Sequence, residues 1–352
     1  MPMSISCSEV DLSATTTGAS GKVRNVGLDL LRVVMILWIV GIWHLLGFTA
    51  TYRGYKTELT NAITTVALAV FVYVSGYLVS CNHSFTSIKS VADYFIKRAL
   101  RLYALFCIAA LVYWLLNVDD FYVLIRGVTL VAMLIPRPPW TLWFVVMILN
   151  FSIIAPALVL MSKRKFYAVL SLAVGIALLA AWNVFVCKVD GRLVMYFPVF
   201  WLGVLAARGG FHGKLVQGRG RTLILSAIAC AAYLLFRRSG ESAFVVSLLK
   251  APFLMLVSIL TVSQAERLKA GKRASRIIAY LAWISFALYL FHRPVFLMFT
   301  RTYMPSQFIF QLAYLYLVVL PVCVLTAIIV QLIYECGERM VRSFCLKLFR
   351  GV

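Results

Sequence analysis

Acidic side chains are nearly missing from this chain: twelve Asp and Glu stand against 34 Lys and Arg in 352 residues. Charge of either sign is scarce, at 13% of residues, where an ordinary soluble domain carries roughly 25%. A chain that is 63% hydrophobic, with mean hydropathy +0.94, cannot hide its apolar surface in one water-soluble core. It reads as an all-α integral membrane protein, in which helix number follows bilayer thickness rather than domain size. The net charge of +22 would suggest nucleic acid on a soluble protein. Here no basic face alternates with exposed aromatics, so nucleic acid is not expected as a partner. The excess belongs to loops that face the cytoplasm and anionic membrane lipid.

Metal-type cysteine spacing is lacking too. The eight cysteines form no C-x-x-C pair, and most lie in or beside apolar runs, where a free thiol behaves as a small hydrophobe. Neither a disulfide framework nor a metal is expected. Residues 1–21 hold no apolar core of the signal-peptide kind; rich in Ser and Thr, they are expected to form a disordered tail. The first span then serves as the targeting signal. No internal repeat is evident, which argues against an inverted-repeat transporter.

What is present is a series of long apolar runs, near 27–48, 61–80, 99–117, 140–161, 166–187, 193–207, 222–236, 242–263, 277–300 and 309–335. A further run, 121–135, contains Arg126 and is short of the roughly 17–25 residues that a span needs. Positive-inside counting decides its place. With ten spans, both termini inside and 121–135 re-entrant or interfacial on the outer side, 22 Lys and Arg collect in inner loops, nine lie outside and three within spans. Counting 121–135 as a span would put the run Lys163, Arg164, Lys165 outside. The expected architecture is therefore a bundle of about ten transmembrane helices over 22–340, followed by a basic cytoplasmic tail at 341–352.

Histidine is rare, with four in the chain, yet His44 and His292 both sit inside spans. An ionisable ring in hydrocarbon is costly and usually serves a proton or a ligand. Each lies about fifteen residues into a span running from inside to outside, roughly 22 Å deep at 1.5 Å per residue. Matched depth allows them to share one cavity in the outer half of the bundle. The alternative for each is a structural bond to a carbonyl, for His292 beside the Pro294 kink.

Several motifs follow in order: Asp29-Leu-Leu-Arg32 with His44, Ser75-Gly76-Tyr77, Arg98-Ala-Leu-Arg101, Trp140-Thr-Leu-Trp143, YFPVFWLG over 196–203, and LYLFHRP over 288–294. The set resembles the acyltransferase-3 family of membrane O-acyltransferases over nearly the whole chain. The resemblance implies that His44 is the catalytic histidine of the first span, that Arg98 and Arg101 are the family's paired arginines, and that Arg32 matches the arginine preceding the histidine. The family usually has ten residues between that arginine and the histidine; here there are eleven. Twelve α-helical steps of about 100° leave the two roughly 120° apart. Either a π-bulge takes up the extra residue or Arg32 serves the cytoplasmic mouth alone.

The residues themselves suggest matching chemistry. A neutral imidazole at His44 suits a general base to an acceptor hydroxyl, with His292 orienting it or binding the acceptor. Arg98 and Arg101, three apart on one helix face, suit the phosphates of an acyl-CoA, although positive-inside anchoring also explains them. Arg32 is expected to pair with Asp29. Ser75 is placed with the acyl-CoA site, Gly76 leaving room either for a pantetheine arm or for close helix packing. Trp143, Tyr289 and Lys250 are candidates for the acceptor cavity, and Arg32, Lys250, Tyr289 and Trp143 for oxyanion donors.

The expected reaction moves an acyl group, acetyl in the first instance, from acetyl-CoA as co-substrate to a hydroxyl of a periplasm-facing carbohydrate or lipid-linked glycan. The expected setting is a bacterial inner membrane, with other polysaccharide-assembly proteins as partners. A succinyl or other acyl donor, or a proton-coupled glycan-lipid transporter, is the alternative.

Overall fold

The computed structural model describes residues 25–49, 54–135, 137–209 and 244–350, with the isolated positions 227 and 231, and gives only backbone for 341–350. Among these residues there is no strand. We label the helices α1 (Val26–His44), α2 (Glu58–Asn82), α3 (88–115), α4 (Phe121–Val128), α5 (Trp143–Met161), α6 (Lys165–Phe185), α7 (Gly191–Gly209), α8 (Phe244–Ala265), α9 (Lys272–Thr302) and α10 (308–350). Seven of them, α1, α2, α5, α6, α8, α9 and α10, are long and apolar enough to cross a membrane. The expected runs 99–117 and 193–207 fall on α3 and α7. The expected span 222–236 and the tail 1–21 lie outside the described residues.

Local sequence explains the ends. Asn25 caps α1, its side chain accepting the N–H groups of Gly27 and Leu28. Thr57 and Thr60 form a capping box at α2, and Ser87 and Ser90 form one at α3. α3 starts eleven residues before the run read as its span. Its first half, Ile88–Arg98, is amphipathic and exposes one face, and the apolar part follows only after Tyr103. The stretch 121–135 contains a helix of eight residues and then turns. That is about 12 Å of rise, well under the roughly 30 Å of hydrocarbon. At the other end α10 continues as helix to Arg350, so the expected basic tail extends the last helix as far as its backbone is described.

Small residues set the central crossing. A Cβ on Gly76 would lie 2.3 Å from the Phe200 carbonyl oxygen, and one on Gly203 would lie 2.2 Å from that of Tyr73. α2 and α7 thus touch backbone to backbone, as small-residue stripes allow in a membrane. Around this pair pack α1, α5 and α8, with α9 set against α1 and α10, while α6 exposes most of its surface. A half-buried polar bond ties α9 to α10: the Trp283 indole donates to the Glu335 carboxylate, which also accepts from Gln331 of its own helix at 3.1 Å.

Candidate functional site

Three helices depart from α-helical winding, and the first departure matters most. Residues Leu37–His44 at the end of α1 wind as π-helix, so the extra residue between Arg32 and His44 is taken up in a wide turn. Twelve steps then rotate about as far as eleven α-helical ones, which brings the pair to roughly 20° apart rather than 120°. Arg32 and His44 share a face. They still lie about 16–18 Å apart along the axis, and Arg32 pairs with Asp29 at 3.6 Å.

The wide turn delivers His44 to α9. Its Nδ1 lies 2.7 Å from Nε2 of His292, and the two rings stack with centroids 4.8 Å apart and planes 9° from parallel. His292 is fully buried. Its Nδ1 sits 2.7 Å from the carbonyl oxygen of Tyr289 and 3.2 Å from that of Leu288. Carbonyls only accept, so in the neutral pair the proton on His292 is at Nδ1. His292 Nε2 then accepts, and the His44 Nδ1–H donates to it. One arrangement remains for His44: its Nε2 carries the lone pair.

His44 is half-buried at a cavity of about 190 Å³. Trp143 and Tyr289, expected at an acceptor cavity, line it. Thr64 and Thr65 from the first turns of α2 line it as well, as does Arg192 from the first turn of α7. Arg192 is held by Asp190 through two bonds of 2.9 and 2.6 Å and lies 4.1 Å from the centre of the Trp143 ring. The Tyr289 hydroxyl donates to the Thr141 carbonyl at 2.6 Å. The Trp43 and Trp143 indoles line the cavity without donating to any described residue.

The other expected site residues are elsewhere. Lys250 is buried within α8 and does not line this cavity. Ser75 donates to the Phe71 carbonyl of its own helix at 2.8 Å. The bare face of Gly76 is filled by the Phe200 backbone, which decides for helix packing over a pantetheine slot. Arg98 and Arg101 flank the start of a second π-helical segment, Ala99–Tyr103. That winding spreads them to roughly 110° from the 60° of an α-helix, so they are looser neighbours than the spacing implied. The Arg98 guanidinium covers the Tyr94 ring at 5.5 Å, and Arg101 is exposed.

Sequence reasoning missed Arg192, Thr64 and Thr65. The polar stripe Asn61, Thr64, Thr65 at helical spacing inside an apolar run was a usable signal. Arg192 offered none, because an arginine at a helix start reads as an interfacial anchor.

The family model described as an acyltransferase domain, that of the acyltransferase-3 family, matches residues 25–332. The chain belongs to that family. No curated protein and no solved structure matches it. The family match spans every cavity residue named above and places the histidine pair within a membrane acyltransferase.

Proposed function

We propose that this acyltransferase moves an acyl group, acetyl in the first instance, from cytoplasmic acyl-CoA to a hydroxyl of a carbohydrate on the outer side of a bacterial inner membrane. The 2.7 Å bond between the imidazoles of His44 and His292 at a polar-walled cavity carries this reading. The acceptor hydroxyl gives its proton to His44 Nε2 as its oxygen attacks the thioester carbonyl. The imidazolium keeps its Nδ1–H on His292, and the tetrahedral intermediate collapses with loss of the CoA thiolate. His44 Nε2–H then returns the proton to that sulfur. Four groups were candidates to stabilise the oxyanion. Tyr289 is engaged with Thr141, while Arg32 and Lys250 do not line the cavity, which leaves the Trp143 indole, joined by Trp43.

Arg98 and Arg101, together with Arg32, are assigned to the donor phosphates at the cytoplasmic mouth. A succinyl donor loses its main support, since Lys250 is outside the cavity and the charge on Arg192 is matched by Asp190.

The test is acyl transfer by the purified chain from radiolabelled acetyl-CoA to glycan, comparing His44→Ala. The variant should insert normally and lose transfer. Full activity removes His44 from the reaction. Movement of lipid-linked sugar across liposomes without use of acetyl-CoA replaces the enzyme by a transporter.

A further inference from the structure

Thr64, Thr65, Tyr196 and Tyr289 all line the cavity beside His44, and each commits its hydroxyl proton to the protein. Thr64 donates to the Thr60 carbonyl at 2.8 Å and Thr65 to that of Asn61 at 2.9 Å. Both threonines thus bond one turn back along α2, as hydroxyl side chains do in apolar helices. Tyr196 donates to the Thr65 carbonyl at 3.1 Å, and Tyr289 to that of Thr141 at 2.6 Å. A hydroxyl has one hydrogen to give, so these oxygens are left able only to accept. Acceptors of that kind suit the O–H groups of a neutral ligand and repel an anion.

Arg192 is the one lining residue with a full charge, and local structure cancels it. In Asp190-Gly191-Arg192 the aspartate precedes α7 and accepts the Arg192 backbone N–H at 2.9 Å, which makes it a helix cap. The same carboxylate takes Nε and Nη2 of the Arg192 side chain at 2.9 and 2.6 Å. Asp190 is itself anchored, its N–H donating to the carbonyl of fully buried Met133 at 3.2 Å. The preceding Val189 N–H donates to the Asn183 side chain at 3.1 Å. Asp190 does not line the cavity, so it matches the arginine from outside the space a ligand would take.

We propose that Asp190 sets the charge specificity of the acceptor site: by holding Arg192 it makes the cavity select a neutral sugar unit over an acidic one. Asp190 is a positioning residue, acting through Arg192. Without its charge, Arg192 offers the nitrogens that Asp190 held to the carboxylate of a uronic acid. This rests on the acyltransferase reading above.

The test uses the full chain in nanodiscs on an array of neutral oligosaccharides and their uronic-acid counterparts. Asp190→Asn and Asp190→Ser both remove the charge and keep a good cap for α7. Wild type should retain neutral sugars above acidic ones. Each variant should raise retention of the acidic sugars about ten- to a hundredfold, the scale of one charge-assisted hydrogen bond. Arg192→Gln added to either should abolish that gain. A purely structural role for Asp190 predicts loss of both sugar classes and no gain of one. Four outcomes overturn the proposal: no saccharide retained, acidic sugars retained by wild type as well as neutral ones, no gain in either variant, or a gain that survives Arg192→Gln. Consumption of labelled acetyl-CoA is scored on the same samples. Retention without consumption sinks the acyltransferase reading, whereas consumption with any of the four outcomes sinks the charge selection alone.

Discussion

Replacing His292 by phenylalanine removes the acceptor of the His44 Nδ1–H while leaving His44 in place. An unmade bond at a buried donor costs about 1–3 kcal/mol. His44 escapes that cost by moving its proton to Nε2, and in that tautomer the ring cannot accept from a hydroxyl in the cavity. The population of the competent tautomer, and with it kcat, should fall roughly ten- to a hundredfold. The bond lies inside the protein, so the KM for acetyl-CoA should stay within about twofold. His44→Ala removes the base outright and should cost about 10²–10⁴. Because His292 acts through His44, the double variant should be no slower than His44→Ala alone. His292→Gln, whose amide oxygen can accept from Nδ1–H, should recover part of the loss. The assay is steady-state transfer from labelled acetyl-CoA at saturating acceptor. A double variant slower by the product of both single effects would refute the reasoning, as would a His292→Phe enzyme with wild-type kcat.

Arg98→Ala combined with Arg101→Ala should raise the KM for acetyl-CoA about tenfold or more and flatten its salt dependence; an unchanged KM returns the pair to a purely topological role. Gly76→Ala sets a methyl 2.3 Å from the Phe200 carbonyl and should cost about 1–3 kcal/mol of stability, seen as a lower thermal midpoint in detergent. Gly271→Ala, with nothing within 4 Å of its Cβ, is the control, and equal effects would dismiss the α2–α7 contact. Burial pushes the Asp119 carboxyl up, against smaller lowering effects of the Trp140 backbone and Arg293. The folded chain then binds more proton than the unfolded one, so stability is fullest below the ordinary value near 4 and declines as pH rises through the raised one. Asp119→Asn should abolish that decline in thermal melts, and identical slopes would count against it.

Much of the site was written in the order of residues. The matched depths of His44 and His292 anticipated their meeting, and the eleven residues after Arg32 anticipated a wide turn, because both are counts along a helix. The neighbourhood of Arg98 and Arg101 was read less well, since spacing of three implies one face only in an α-helix and the chain is π-helical there. Lys250, expected at the acceptor cavity, does not line the one beside His44. A cation in mid-span must be sheltered, and nothing along the chain says which helix shelters it.

Hydrophobic length and charge bias alone determined that this chain builds a membrane bundle of helices, because partition into lipid depends on each segment by itself. Rotation and approach of the helices were decided in three dimensions. Backbone contact at Gly76 and Gly203 fixed how α2 meets α7, and the π-helical end of α1 turned His44 toward α9. Those choices put Arg192, Thr64 and Thr65 around the imidazole. Such meetings depend on packing between segments far apart in the chain, and no single run of residues contains that information.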